Sequence, residues 1–497
     1  MGIIRRQSIY SSVFTLLGFA IGAVNLLVLF KHFLTTEELA LTRLLLDFSL
    51  PFATFCTLGS VPAVLKFYPF YKSYLPEKKN DLPLLSLLFT MAGIAVFLTF
   101  TIVFKDFVLR KFAAKSPLFL PYYDLIYPLT ISIAVLNLGE AYAWSLKKTI
   151  LSNFLKEVTF RILTLIIILL YIFRQVSIRQ FFWLYSFTYT PAALILLFYL
   201  IKSGAIDLKF SISNLTRRLY KKIVAFSLFI YAGSILNMLS VTIAGIIISS
   251  QSTKGLKDTA AFTVAVYFIS IMEVPQRSMT AITTPIIADA WKNRNITKIH
   301  ELYQKTSLTL LVAGLLIWGI SMVNMHNVIA YMGEDYIKLT KLVLILGLAK
   351  LIDLGTGMNS QIMLLSKHWK LDFVCNTIFV FSVIPLNYFL IRSYGVVGSA
   401  FATLIAQCLY NLLRFIFIWH FFRLQPFTPR TLIVVFIAML TIAGCYFTPA
   451  ITNIYIDTIV RTFLFSIVFI SAILYFNVSE DVSSILQTLK QKAGIGR

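Results

Sequence analysis

Acidic residues are scarce in this sequence, with 21 Asp and Glu among 497 residues. Charged residues of both signs make up 13% of it, about half the share usual in a soluble domain. That shortage excludes an ordinary cytosolic enzyme. Long polar loops are also missing, and with them the room a membrane glycosyltransferase or polysaccharide ligase needs for its chemistry. There is no P-loop and no HExxH, so neither an in-chain ATPase nor a zincin is encoded. Cys56, Cys375, Cys408 and Cys445 fall singly inside apolar runs, which leaves a disulfide framework or zinc site without support. The five histidines are scattered, and no metal or other cofactor is implied. No cleavable signal peptide is evident. The first apolar run, 9–30, is too long for one and is expected to remain as a span.

What is present is apolar. Hydrophobic residues make up 58% of the chain, with mean hydropathy +0.83. A spanning helix needs about 20 largely apolar residues, and such runs follow one another from end to end. The fold class is therefore an all-α polytopic membrane protein of about fourteen spans. They are expected near 9–30, 39–65, 83–104, 123–146, 152–173, 180–201, 223–248, 259–287, 307–325, 339–365, 371–391, 396–420, 431–448 and 454–476. The polar stretch after Asp289 reads as a surface helix, with Ile296, Ile299, Leu302 and Tyr303 on one face.

Lys and Arg number 44, giving a net charge of +23. Nucleic acid as a partner is disfavoured, because no basic domain exists outside the spans. Basic residues collect instead in cytoplasmic loops. With the N-terminus inside, roughly 25 of them fall in cytoplasmic segments against about 11 outside. An even span count then returns the basic tail to the cytoplasm. Lys105, Arg110, Lys111 and Lys115 oppose this orientation, through either a miscounted span or a short external helix.

The longest basic loop separates the first six spans from the next six. The expected organisation is an N-terminal six-helix lobe (1–202), a basic cytoplasmic linker (203–222), a second six-helix lobe (223–425), and two extra spans with a basic tail (426–497). Pro51 and Pro62 in the second span have counterparts in Pro275 and Pro285 in the eighth, which hints at a duplication. All four permit bends.

Charges inside a bilayer are costly and usually face a cavity or a partner. Arg43 and Asp47, Glu157 and Arg161, Glu273 and Arg277, and Asp457 and Arg461 stand one helical turn apart. Lys350 and Asp353 do so at i,i+3. Opposite charges at this spacing neutralise each other and lower the insertion cost. Glu273, Arg277, Lys350 and Asp353 lie deepest, where a cavity-lining role is expected. Glu140 and Arg414 have no sequence-local partner. Asn25 and Asn237 occupy corresponding spans of the two halves, and Asn359 and Gln361 follow Lys350. Interhelical hydrogen bonding is the ordinary role of such amides. Gly355 and Gly357 loosen the tenth span beside its charges.

Three stretches carry a family resemblance: RRQSIYSSVFTLLGFAIGAVNLLVLF (5–30), EVPQRSMTAITTPIIADAW (273–291) and NYFLIRSYGVVGSAFATLIAQ (387–407). The chain resembles the multidrug/oligosaccharidyl-lipid/polysaccharide (MOP) exporter superfamily, in particular its Wzx-like oligosaccharide flippases. The resemblance implies a V-shaped bundle of two six-helix lobes in the bacterial inner membrane. It also implies flipping of an undecaprenyl-diphosphate-linked oligosaccharide toward the periplasm, for lipopolysaccharide or other surface polysaccharides, alongside polymerase or ligase machinery. Fourteen spans also resemble the MurJ-like lipid II flippases, whose extra helix pair forms a lipid-tail groove.

Against such a substrate, Arg277, Lys350, Arg43 and Arg161 are candidates for the diphosphate. Asn25, Asn237, Asn359 and Gln361 are candidates for sugar hydroxyls. Glu273, Asp353, Asp47 and Glu140 are candidate charge partners or coupling groups. A cation-coupled multidrug exporter is the chief rival, disfavoured because the first span has no carboxylate. A polymerase or ligase is a further rival, disfavoured by the missing loops, so a non-enzymatic transporter is expected.

Overall fold

The computed structural model describes residues 3–75, 80–146, 148–203 and 212–476, with side chains from residue 13 onward except at 281. The centre of the basic linker (204–211) and the basic tail (477–497) lie outside the described residues. Within the described residues every regular element is a helix. Eleven helices are long and apolar enough to cross a membrane, or twelve if the bent pair Leu256–Ile271 and Glu273–Thr280 is one span. The two remaining expected spans are helical but interrupted. The fifth runs as Thr149–Phe154, a π-helical turn Leu155–Thr159, and Phe160–Ile172. The tenth breaks between Leu339–Gly355 and Asn359–Leu365.

The breaks follow local chemistry, though not at every proline. In the second span, Thr36–Cys56 gives way to Ser60–Tyr74 through Leu58 (φ 42°) and Gly59 (φ 80°). Pro62 follows in the first turn of the new helix, where a missing N–H costs little. The eighth span bends by 40° at Met272, with Pro275 in the next first turn. Pro51 and Pro285 sit inside helices that continue past them. The tenth span needs no proline, because Gly357 (φ 59°) makes its break. A break in the sixth span, between Ile178–Ser186 and Thr190–Lys202, was not expected from the sequence.

Two polar segments resolve differently. The stretch after Asp289 is not a separate surface helix. Glu273–Lys292 ends, Asn295 caps Lys298 N–H at 2.9 Å, and Ile296–Val323 runs on unbroken as the ninth span. Ile299 and Tyr303 are buried and Ile296 is exposed, because the apolar face is the top of the buried face below it. The four bases that oppose the orientation fall on and just after a short helix, Lys105–Ala113, rather than on an extra span. Its Phe112 packs among Phe48 and Phe119.

The chain divides into two compact units, Met1–Ala260 and Ala261–Arg497. In the first, the 38-residue helix Asn214–Gln251 packs along both halves of the broken second span. Its start is pinned by the buried Asp81 carboxylate, which accepts from Ser213 N–H and Oγ and from Thr216 Oγ1, each within 2.9 Å. The core beneath holds Tyr68, Tyr71, Tyr142 and Leu196.

In the second unit the hairpin Trp369–Tyr394 and Val396–Phe422 turns at Gly395 (φ 61°). Gly398 rests on the Leu390 carbonyl, so a side chain there would strike backbone. The helices Pro429–Tyr446 and Ile454–Tyr475 pack on Ile296–Val323, where the Phe465 ring lies against Gly319.

Candidate functional site

The deepest expected charges do meet. In the second unit, Lys350 Nζ lies 3.0 Å from Asp353 Oδ2 and donates to Gln276 Oε1 at 2.7 Å. Gln276 Nε2 donates in turn to Asp353 Oδ2 at 3.1 Å, closing a ring. Glu273 Oε1 lies 3.9 Å from the same ammonium, and its Oε2 takes Arg277 at 3.1 Å. The bend at Met272 places Glu273 in a helix's first turn, where a carboxylate is favoured. Lys350 is 15% exposed and Arg277 53% exposed, so Arg277 is the base of this cluster that meets its surroundings.

Beside this ring the break of the tenth span opens a second network. Thr356 Oγ1 and Asn359 Nδ2 donate to Asn411 Oδ1 at 2.8 and 2.9 Å. Arg414 is not a lone charge. Its guanidinium pairs with Asp372 at 2.6 Å and stacks 3.9 Å from the centre of the Tyr410 ring. Asn376 supports Asp372 at 3.1 Å and accepts from Tyr410. Gln361 is half-buried nearby and takes no part. Gln276, Asp372, Asn376, Tyr410 and Asn411 escaped the sequence reading. Asp372 and Asn376 do stand one turn apart on Trp369–Tyr394, as Tyr410 and Arg414 do on Val396–Phe422. The contacts that join these residues to the charges and to Asn359 cross between helices: Gln276 to Lys350 and Asp353, Asp372 to Arg414, and Asn411 to Asn359.

In the first unit, Arg43 Nε is 2.9 Å from Asp47 Oδ1. The alignment is poor, and neither Asp47 oxygen accepts a hydrogen bond. The carboxylate is fully buried against Gly245, where any side chain would displace it. Arg161 pairs with Glu157 at 2.8 Å and also donates to the Glu157 carbonyl. Gly18 leaves the room this guanidinium needs. Asn25 is buried in a π-helical turn, Val24–Phe30, and donates to the Arg161 carbonyl at 2.8 Å. π turns frequently mark functional positions. Here each of two such turns packs on the α-helical part of the other's span: Val24–Phe30 on Phe160–Ile172, and Leu155–Thr159 on Ile3–Ala23. Asn237, expected to correspond to Asn25, is exposed.

Glu140 also gains a partner. Lys156, turned by the π segment, approaches its Oε2 at 2.6 Å. Glu140 lines a pocket of about 210 Å³ with Thr57, Asn137, Trp144, Tyr231 and Ser234. In the second unit, Asp457 and Arg461 act as a strap. Asp457 accepts from Asn327 at 2.6 Å and from Ile451 N–H at 3.0 Å, while Arg461 holds the carbonyls of Cys445 and Thr448. The two helices so strapped enclose a groove of about 760 Å³, lined by Leu432, Phe436, Leu440, Leu464, Val468 and Phe476. Thr441 is the one hydroxyl lining it.

These helices, with their interrupted spans and ion pairs held inside each unit, define a multi-pass membrane protein with the fold of MOP-superfamily transporters. The lipid II flippase MurJ in an inward closed conformation superposes with TM-score 0.72 and 16% identity over 95% of this chain and 99% of its own. An inward-facing MATE multidrug resistance transporter of the MOP superfamily gives 0.64 and 15% over 89% of this chain and 100% of its own. A MOP superfamily transporter from Pyrococcus furiosus, described as having a binding pocket of reversed polarity, gives 0.57 and 13% over 90% of this chain and 98% of its own. The sequence matches no protein-family model and no curated protein.

Proposed function

We propose that this chain is a non-enzymatic flippase. It carries a polyprenyl-diphosphate-linked oligosaccharide from the cytoplasmic to the periplasmic leaflet of the bacterial inner membrane, for assembly of surface polysaccharides such as lipopolysaccharide. The observation that carries this reading is the groove on the last two helices. It is open and almost wholly apolar, which suits a polyprenyl tail. The head group needs cations, and every deep base already has an acidic partner. Arg277 is the most exposed of them, so it makes the first contact with diphosphate as Glu273 lets go, and Lys350 follows. Arg43 and Arg161 are the corresponding bases of the first unit. Asn237, Asn359 and Gln361 are proposed to meet sugar. Asn25 holds the first and fifth spans together.

In vesicles carrying a labelled polyprenyl-diphosphate oligosaccharide, the protein is expected to speed exposure of the label to an external quencher. Arg277→Ala and Lys350→Ala are each expected to slow it by tenfold or more, on the order of one lost charged hydrogen bond. Folded yield should stay unchanged for the half-exposed Arg277→Ala. Lys350→Ala leaves the Asp353 carboxylate unpaired and should melt lower, so its rate is normalised to folded protein. Wild-type rates in both variants would take the cluster out of the path. Outward movement of an anionic head group gains about 2.3 kcal/mol per charge from each 100 mV of inside-negative potential. Flipping should therefore accelerate when that potential is imposed, and indifference to it would exclude potential as the driving force. Lipid II is the alternative cargo, favoured because MurJ covers the largest share of this chain among the three neighbours.

A further inference from the structure

We infer that the pocket on the second, fourth and seventh spans of the first unit is a subsite for one neutral pyranose ring. The inference rests on the reading above that the cargo carries sugars. It adds a place and a recognition chemistry for one of them.

The pocket's wall is built from one helix face. Asn137, Glu140 and Trp144 stand at i, i+3 and i+7 on Ile126–Ser145, and Thr57, Tyr231 and Ser234 complete it from neighbouring helices. Its volume of about 210 Å³ is modest. It falls below the roughly 300–1,000 Å³ of clefts that take drug-sized ligands, and well above the ~30 Å³ share of a single water. One sugar ring fits that interval.

The polar groups suit hydroxyls. Among the described residues the Asn137 amide makes no side-chain hydrogen bond, which leaves both a donor pair and an acceptor for the pocket. Lys156 takes Glu140 Oε2, and among the described residues Oε1 accepts nothing. A carboxylate oxygen beside a free amide can bind neighbouring hydroxyls of a ring. Trp144 is 45% exposed and offers a flat apolar face to the ring's C–H side.

Charge decides against the other ligand classes. A cation entering the pocket would meet the Lys156 ammonium already seated on Glu140. An anion would meet Glu140 itself. The pair is balanced, so a neutral polyhydroxylated ring is the ligand that leaves it undisturbed.

The test is saturation-transfer NMR on the full chain in nanodiscs, with methyl glycosides of glucose, galactose, mannose and N-acetylglucosamine as probes and mannitol as control. At least one glycoside is expected to receive saturation at its ring protons, and mannitol none. Asn137→Leu and Trp144→Ala should each weaken binding about tenfold, while Trp144→Phe, which keeps an aromatic face, should retain most of it. Thermal melting of each variant shows that it is folded. No transfer to any glycoside from the wild type, or transfer undiminished in both weakened variants, overturns the subsite. Vesicle flipping measured in parallel separates the two readings. Glycoside binding without flipping sinks the flippase and keeps the pocket, whereas flipping without glycoside binding does the reverse.

Discussion

Arg414→Met is expected to destabilise the second unit by about 3–5 kcal/mol, the usual cost of stranding one member of a buried ion pair. The guanidinium and the Asp372 carboxylate are both almost wholly buried, 2.6 Å apart. Without its partner, Asp372 keeps only Asn376. The stacking on Tyr410 is also lost. Thermal unfolding of the purified protein should show a large drop in midpoint. Adding Asp372→Leu should restore most of it, because a well-packed apolar pair often matches or exceeds a buried ionic one. A single variant that melts like the wild type would show that the pair contributes nothing to holding these helices together.

The second large effect is steric. Gly93 on Leu82–Val103 faces the last turn of Thr36–Cys56, and a Cβ there would run into the carbonyl oxygen, carbonyl carbon and Cα of Cys56. All three are backbone atoms, just before the break of the second span, so no rotamer change relieves the clash. Gly93→Val is expected to cost about 1–3 kcal/mol or more by overpacking and to reduce the monodisperse yield sharply. Gly444→Ala is the matched control, since nothing lies within 4 Å of its added Cβ. In a helix that change should be neutral or stabilising by up to about 1 kcal/mol. Equal behaviour of the two variants would mean that the close approach at Gly93 is not a packing constraint.

The sequence made some of this legible because helices are local. Each opposite-charge pair read at one turn's spacing is an ion pair in the structure, from Arg43–Asp47 to Asp457–Arg461. Hydropathy likewise located the spans, including the two whose interruptions shorten them. What it could not reach depends on which helices adjoin. Arg414 and Asp372 are 42 positions apart, and Glu140 and Lys156 are 16. Gln276 reads as an ordinary amide until the tenth span brings Lys350 against it. The π turn in the fifth span has no spacing signature, yet it helps to turn Lys156 toward Glu140. Proline was a partial guide to the bends. Positive φ at Leu58, Gly59 and Gly357 marks two of the breaks, and a helix can run past a proline where packing re-satisfies its backbone.

The pairing of internal charges has an electrical consequence. In the first unit Arg43, Lys156 and Arg161 are matched by Asp47, Glu140 and Glu157, and in the second Arg277, Lys350, Arg414 and Arg461 are matched by Glu273, Asp353, Asp372 and Asp457. If either unit moves as a body, as the proposed flipping would need, these pairs carry no net ionic charge through the field. On the flippase reading proposed above, resetting without cargo should give no capacitive transient, and a voltage step applied in the absence of cargo should draw no displacement current. On that reading, whatever charge crosses the membrane belongs to the proposed cargo.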